Sequence, residues 1–231
     1  MRLRSLLLAP IALVTTAAAD PNLYWSIADE SGKAIGYGYT ETSGTLDGLV
    51  VTDYRELAVH MPGRAVRRVT DRITTRRDNS GARDIAEQID DDGAWTDIHA
   101  VIEGTVAVVT RTTRAGRQVR RLALPPNVRV FNYDMFAPTR CVAATATGFL
   151  PPIADLDLAD MAVERIDDGE MLGFGAGGIR VTPRRRYRGD ALHSIDRMGY
   201  DGDCHLAEVV KSAFGMTVRL KPTTTRPRPI G

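Results

Sequence analysis

Lysine is almost missing from this chain of 231 residues. Only Lys33, Lys211 and Lys221 occur, so 27 of the 30 basic residues are arginines. Those 30 cations meet 29 acidic residues for a formal net charge of +1. A balance so close to neutral lacks the electrostatic footprint of a nucleic-acid partner. Histidine and cysteine are also scarce, at 4 and 2. No two histidines fall at a helical i, i+4 spacing and no Cys-x-x-Cys occurs, which removes the common zinc frameworks. Around Asp201, Asp203, Cys204 and His205 the acidic ligands of an EF-hand loop are missing after Gly202, so this stretch reads as a turn. No metal and no cofactor is expected. Beyond the first twenty residues no run of 18 apolar residues exists, so no membrane-spanning helix is expected.

What is present begins with an address. Arg2 and Arg4 precede an apolar run from Leu6 to Val14, and Ala17-Ala18-Ala19 precede Asp20. A short positive region, about ten apolar residues and an Ala-x-Ala ending form a secretory signal peptide over residues 1–19. Export to the periplasm or beyond is therefore expected. Losing Arg2 and Arg4 would leave 28 basic against 29 acidic residues, a net charge of −1. An oxidising compartment favours a disulfide between Cys141 and Cys204, with two buried free thiols as the alternative.

From Asn22 to about Leu124, turn-forming Asp, Asn and Gly recur between segments rich in Val, Ile, Thr, Tyr and Trp. Turns are expected at Thr42-Ser43-Gly44, Asp91-Asp92-Gly93, Glu103-Gly104 and Arg114-Ala115-Gly116, among others. This half predicts seven or eight antiparallel strands in succession. Val69 and Ile73 share a parity while Arg68, Arg72 and Arg76 form the opposite stripe, so one face is packed and one is wet. Pro125-Pro126 interrupts the meander, and a bend or short helix is expected over 127–136. Further strands are expected near 162–166, 178–181 (ended by Pro183), 192–198, 206–211 and 216–220. The acids Asp167-Asp168 read as a turn, and 221–231 as a disordered proline-rich tail. The fold class is mainly β: a curved antiparallel meander or half-barrel with one or two short helices, in a single domain over 20–220.

Trp25-Ser26-Ile27, Ser31-Gly32-Lys33 and Ile35-Gly36-Tyr37 resemble the first hairpin of a loose group of exported bacterial β-domains, some of which precede transglutaminase-like domains. The stretch from Tyr200 to Val209 and the following Gly215 to Leu220 resemble the final hairpin of the same group. The group is similar in outline to the LolA/LolB-like half-barrels. The resemblance implies an exported scaffold or carrier and transfers no catalytic residue.

Three local features carry candidate chemistry. Gly173 to Gly178 satisfies the spacing of a dinucleotide fingerprint, but a proline-ended strand follows where a helix is required, so the stretch reads as a glycine-rich loop. Arg184, Arg185, Arg186 and Arg188 form the densest positive cluster, suited to an anionic head group or to a solvated edge strand. His99 and His205, each with a nearby Asp, are the acid/base candidates. The leading expectation is a non-enzymatic periplasmic protein that binds a lipid or other apolar or amphiphilic ligand, or an envelope protein partner. An exported hydrolase or transferase acting on an envelope polymer is the alternative, and a structural subunit completed by a partner is a third.

Overall fold

The computed structural model describes residues 23–45, 48–60, 63, 65–78, 81–125, 129–130, 153–168, 180–203, 205–213, 216–225 and 227. The leader over 1–19, Cys141, Cys204 and the loop from Gly173 to Gly178 lie outside them. Among the described residues there is no helix and every regular element is a strand.

Eight strands follow one another in the first half: β1 (Leu23–Ala28), β2 (Ala34–Thr45), β3 (Gly48–Val59), β4 (Arg67–Asp78), β5 (Gly81–Asp91), β6 (Ala94–Glu103), β7 (Val106–Thr113) and β8 (Gly116–Ala123). The second half contributes β9 (Arg129–Val130), β10 (Ile153–Asp157), β11 (Ala162–Asp168), β12 (Arg180–Arg188), β13 (Ala191–Tyr200), β14 (Leu206–Ala213) and β15 (Met216–Thr223). All belong to one sheet, ordered β8 to β1 and then β15 to β9. Neighbours are antiparallel except the two-residue β9, which runs parallel to β10. Each half is a meander, and the halves join where β1 pairs with β15, Ile27 opposite Leu220.

The hairpins follow from local turn chemistry. Asp92 and Gly93 connect β5 to β6 with φ of 52° and 86°, the left-handed pair that a two-residue turn requires. The Asp90 carboxylate accepts the Gly93 N–H at 2.7 Å. The expected turn at Thr42-Ser43-Gly44 is instead strand: β2 runs on to Thr45, with Gly44 opposite Leu49. Gly44 allows this because its φ is 97° and a Cβ there would lie 2.2 Å from the Gly48 carbonyl oxygen.

Three further boundaries differ from expectation. Asp167 and Asp168 belong to β11, in register with Arg185 and Arg184. β12 continues through Pro183, because at that position it pairs with β13 alone and the ladder to β11 starts at Arg184. β15 extends into the expected tail, since Lys221, Pro222 and Thr223 pair with Ser26, Trp25 and Tyr24.

One face of the sheet is packed, as the parity of Val69 and Ile73 requires; Ile73 is buried and Arg68, Arg72 and Arg76 are exposed. Two clusters occupy that face. One joins Ile73, Ile85, Ile98, Ala100 and Val109 of β4 to β7 with Leu156, Leu158 and Met161. The other joins Trp25 and Ile27 of β1 with Met198, Tyr200, Val209 and Leu220 of β13 to β15. Leu156 and Val163 are cross-strand partners, and their parity is opposite to that of Glu164. The β10–β11 hairpin therefore lays its back on the inner face of β4 to β7, so the sheet curls over on itself. Arg120 of β8 fastens the curl by donating to the Asp160 and Met161 carbonyls at 3.4 and 3.3 Å. No ladder joins β8 to β9 among the described residues, so the sheet is an open curl.

Candidate functional site

The inner side of the curl carries charge as well as apolar surface. Arg186 and Arg188 share a parity on β12, and Ser194, Asp196 and Met198 share the matching parity on β13. Arg186 is buried, and its guanidinium stands between two buried carboxylates, Glu164 at 3.5 Å and Asp196 at 3.4 Å. Arg188 donates from Nε to Glu164 at 2.9 Å, from Nη1 to Asp160 at 2.6 Å, and from Nη2 to Asp157. A β-bulge opposite Arg186 and Tyr187 leaves His193 without a register partner, and its Nε2 lies 3.6 Å from Glu164. Glu164, only 2% exposed, is thus the hub of a network that ties β10, β11, β12 and β13 together.

Two guanidinium groups face four carboxylates here, so the network holds more negative than positive charge. Asp157 registers the surplus. Burial pushes its carboxyl above the ordinary aspartate range, and neighbouring Asp160 and Glu164 push the same way, against the pull of the Asp160 N–H and Arg188. A carboxyl whose folded pKa is raised binds its proton more tightly in the folded state, so stability is lost as pH rises through that folded value. Wild type is therefore expected to lose stability as pH climbs out of the range where unfolded aspartates titrate, and Asp157→Asn to flatten that slope. Urea unfolding at a series of pH values reads it; equal slopes in the two proteins would refute the assignment.

Asp157, Glu164 and His193 each bring one ligand atom within 4.8 Å of the others. Oxygen and imidazole donors so placed suit a divalent metal. The Arg188 guanidinium already stands against both carboxylates, however, and supplies the positive charge that they attract.

The residues singled out in the sequence are dispersed. Arg186 and Arg188 face inward and engage carboxylates of the chain itself, while Arg185 is half-buried on the opposite parity. Arg184 lies on β12 opposite Asp196. His99 sits on the outer face of β6, its Nε2 2.7 Å from Asp84, with both side chains open to solvent. His205 follows the β13 turn, 3.7 Å from Asp201, whose carboxylate accepts the N–H groups of Asp203 and His205. The two histidines therefore form separate exposed pairs.

Sequence reasoning passed over Glu164, Asp196 and Asp157. Each sits on the parity of an apolar neighbour in its strand, Glu164 with Ile166 and Asp196 with Met198. A carboxylate on the packed parity was the available signal.

Trp25 is a second departure from an ordinary core. It is 0% exposed, yet its indole Nε1 finds no acceptor among the described residues. Gly38, opposite it on β2, adds no side chain to that face.

Curl and inner surface together define an open, mainly antiparallel β-sheet protein of β-barrel-like architecture. No family model and no curated protein matches the chain. Among solved structures the chain is similar to that of a β-barrel-like protein of domain of unknown function DUF1849 from Brucella abortus, with a TM-score of 0.57 and 14% sequence identity. The match covers 87% of this chain and 94% of that one. At this identity the likeness is one of fold. It carries the barrel-like outline and not a LolA/LolB or transglutaminase-associated grouping. No described helix is long and apolar enough to cross a membrane.

Proposed function

We propose that this is an exported, non-enzymatic binding protein that takes an apolar or amphiphilic ligand on the inner face of its curl. The observation that carries the reading is Trp25: a fully buried indole whose N–H has no acceptor among the described residues, set in an apolar cluster. A buried donor left unpaired costs about 1–3 kcal/mol, which an acceptor on a bound molecule would recover. The same inner face places Met198 and Tyr200 on one strand, so an apolar tail would lie against apolar side chains. The leader sequence supports export, and the apolar run with its alanine-rich end is its basis.

The chain has two tryptophans, and Trp95 is exposed on β6. In Trp95→Phe the remaining emission belongs to Trp25. Titration with lysophosphatidylcholine or lauric acid below the micellar concentration is expected to shift that emission and to displace a bound hydrophobic dye. Native mass spectrometry of protein purified from a host periplasm is expected to show co-purifying lipid. Unshifted Trp25 emission across both amphiphiles, together with lipid-free protein, would sink the proposal.

A further inference from the structure

Among the strands whose burial is described throughout, the most exposed is also an edge of the sheet. Every residue of β8 is exposed except the half-buried Leu122, and β7 is its only ladder partner among the described residues. Thr113 and Gly116 close the β7–β8 hairpin across Arg114 and Ala115, and Leu124 continues the ladder by donating to the Thr105 carbonyl at 2.8 Å. Backbone groups in an antiparallel pair alternate between the two sides of a strand. Gly116, Gln118, Arg120 and Leu122 therefore bond to β7, while Arg117, Val119, Arg121 and Ala123 turn their N–H and C=O groups away from the sheet.

Side chains add a charge pattern to this edge, which has no described strand beyond it. Arg117, Val119 and Arg121 share the outer face, and β8 contains no acidic residue. Val119 is 53% exposed. Neither Arg117 nor Arg121 makes an ion pair with a described carboxylate. The inward-facing Arg120 is the one used to fasten the curl.

We infer that β8 is a docking edge for an extended acidic segment of a protein partner, which adds as a further strand with acid, apolar and acid side chains at alternate positions opposite Arg117, Val119 and Arg121. Main-chain bonding to an open edge supplies affinity, and alternate side chains supply selectivity. A second copy of this chain is the wrong occupant: antiparallel pairing centred on Val119 would set Arg117 against Arg121, like charge against like. The same arginines that deter self-association attract a carboxylate on either side of a central apolar residue.

The probe is the peptide fluorescein-Thr-Glu-Thr-Val-Thr-Glu-Thr-amide, labelled at its N-terminus and titrated against the full mature chain by fluorescence polarisation. Val119→Pro removes an outward N–H without removing a bond to β7, and R117E/R121E reverses the charge of two exposed side chains. Each is expected to weaken peptide binding by ~10-fold or more, and the double variant is expected to take up the peptide with Lys in place of Glu. Circular dichroism and thermal midpoints establish that both variants stay folded, and the double variant decides alone if the proline does not. On wild type, binding is expected to protect the Val119 amide from hydrogen exchange. No binding to wild type, equal affinity for the acidic and basic peptides, or binding indifferent to R117E/R121E would each overturn the inference.

Discussion

Replacing Glu164 by leucine is expected to destabilise the folded chain by about 3–5 kcal/mol, the usual result of removing one partner from a buried ion pair. Glu164 accepts from both Arg186 and Arg188 and is nearly sealed from water. Its loss leaves the buried Arg186 guanidinium with Asp196, at 3.4 Å, as its remaining carboxylate among the pairs that define the hub. Arg186→Met is expected to destabilise for the mirror reason, leaving two carboxylates in a dry place. The informative protein is the double variant, Glu164→Leu with Arg186→Met. The double variant removes the mutual penalty of Glu164 and Arg186 and leaves only Asp196 without its arginine, so it is expected to cost clearly less than the sum of the two single variants. Urea unfolding of the four proteins reads the coupling. Strict additivity would mean that the network contributes no coupling to stability.

The second large effect lies in the other cluster. Ile85 is 0% exposed and packs among Ile73, Ile98, Ala100 and Val109, with Leu156 and Met161 laid over them. Ile85→Ala is expected to cost about 3–4 kcal/mol through lost transfer energy and the cavity left behind. The midpoint of urea unfolding should fall while the slope stays constant. Val119→Ala, on the exposed edge strand, is the matched control and is expected to change stability by no more than about 0.5 kcal/mol. A cost at Ile85 no larger than at Val119 would mean that the β10–β11 hairpin does not close over β4 to β7.

Much of the fold was legible because it is local. A hairpin is specified by a few turn residues and the alternation on either side, and the first half of the chain is eight hairpin-linked strands written in that way. The errors came where a turn or breaker residue met a strand alongside that takes it up. Gly44 reads as a turn residue, yet it lies in β2 because β3 pairs with it throughout. Pro183 reads as a strand end, yet β12 passes through it because only β13 is alongside at that point. The tail residues Lys221 to Thr223 are strand because β1 takes them up.

The candidate site was less legible. Arg184 to Arg188 stood out as a dense positive cluster, but density along the chain does not tell which face an arginine takes or what it meets there. Alternation divides the cluster, and β11 and β13 supply the acids that hold Arg186 and Arg188. Glu164 drew no attention in Ala162-Val163-Glu164-Arg165-Ile166, where it looks like one half of an ordinary charged pair with Arg165. Its parity with Ile166 marks it as inward-facing.

The sequence by itself determined a strand meander with one packed and one wet face, a chain balanced in charge, and an N-terminal segment with the form of a leader. These follow from residue type and spacing over a few positions, where turn propensity and period-two alternation act. Only the tertiary structure decided that β1 and β15 join the two meanders, and that the β10–β11 hairpin folds inside the curl. It also decided that Glu164 sits between two arginines, that Trp25 is sealed with no acceptor among the described residues, and that β8 has no described strand beyond it. Those features depend on pairings between residues up to about two hundred positions apart, such as Tyr24 with Thr223. No local propensity encodes such a pairing; it is selected by the apolar surface that closing the curl buries.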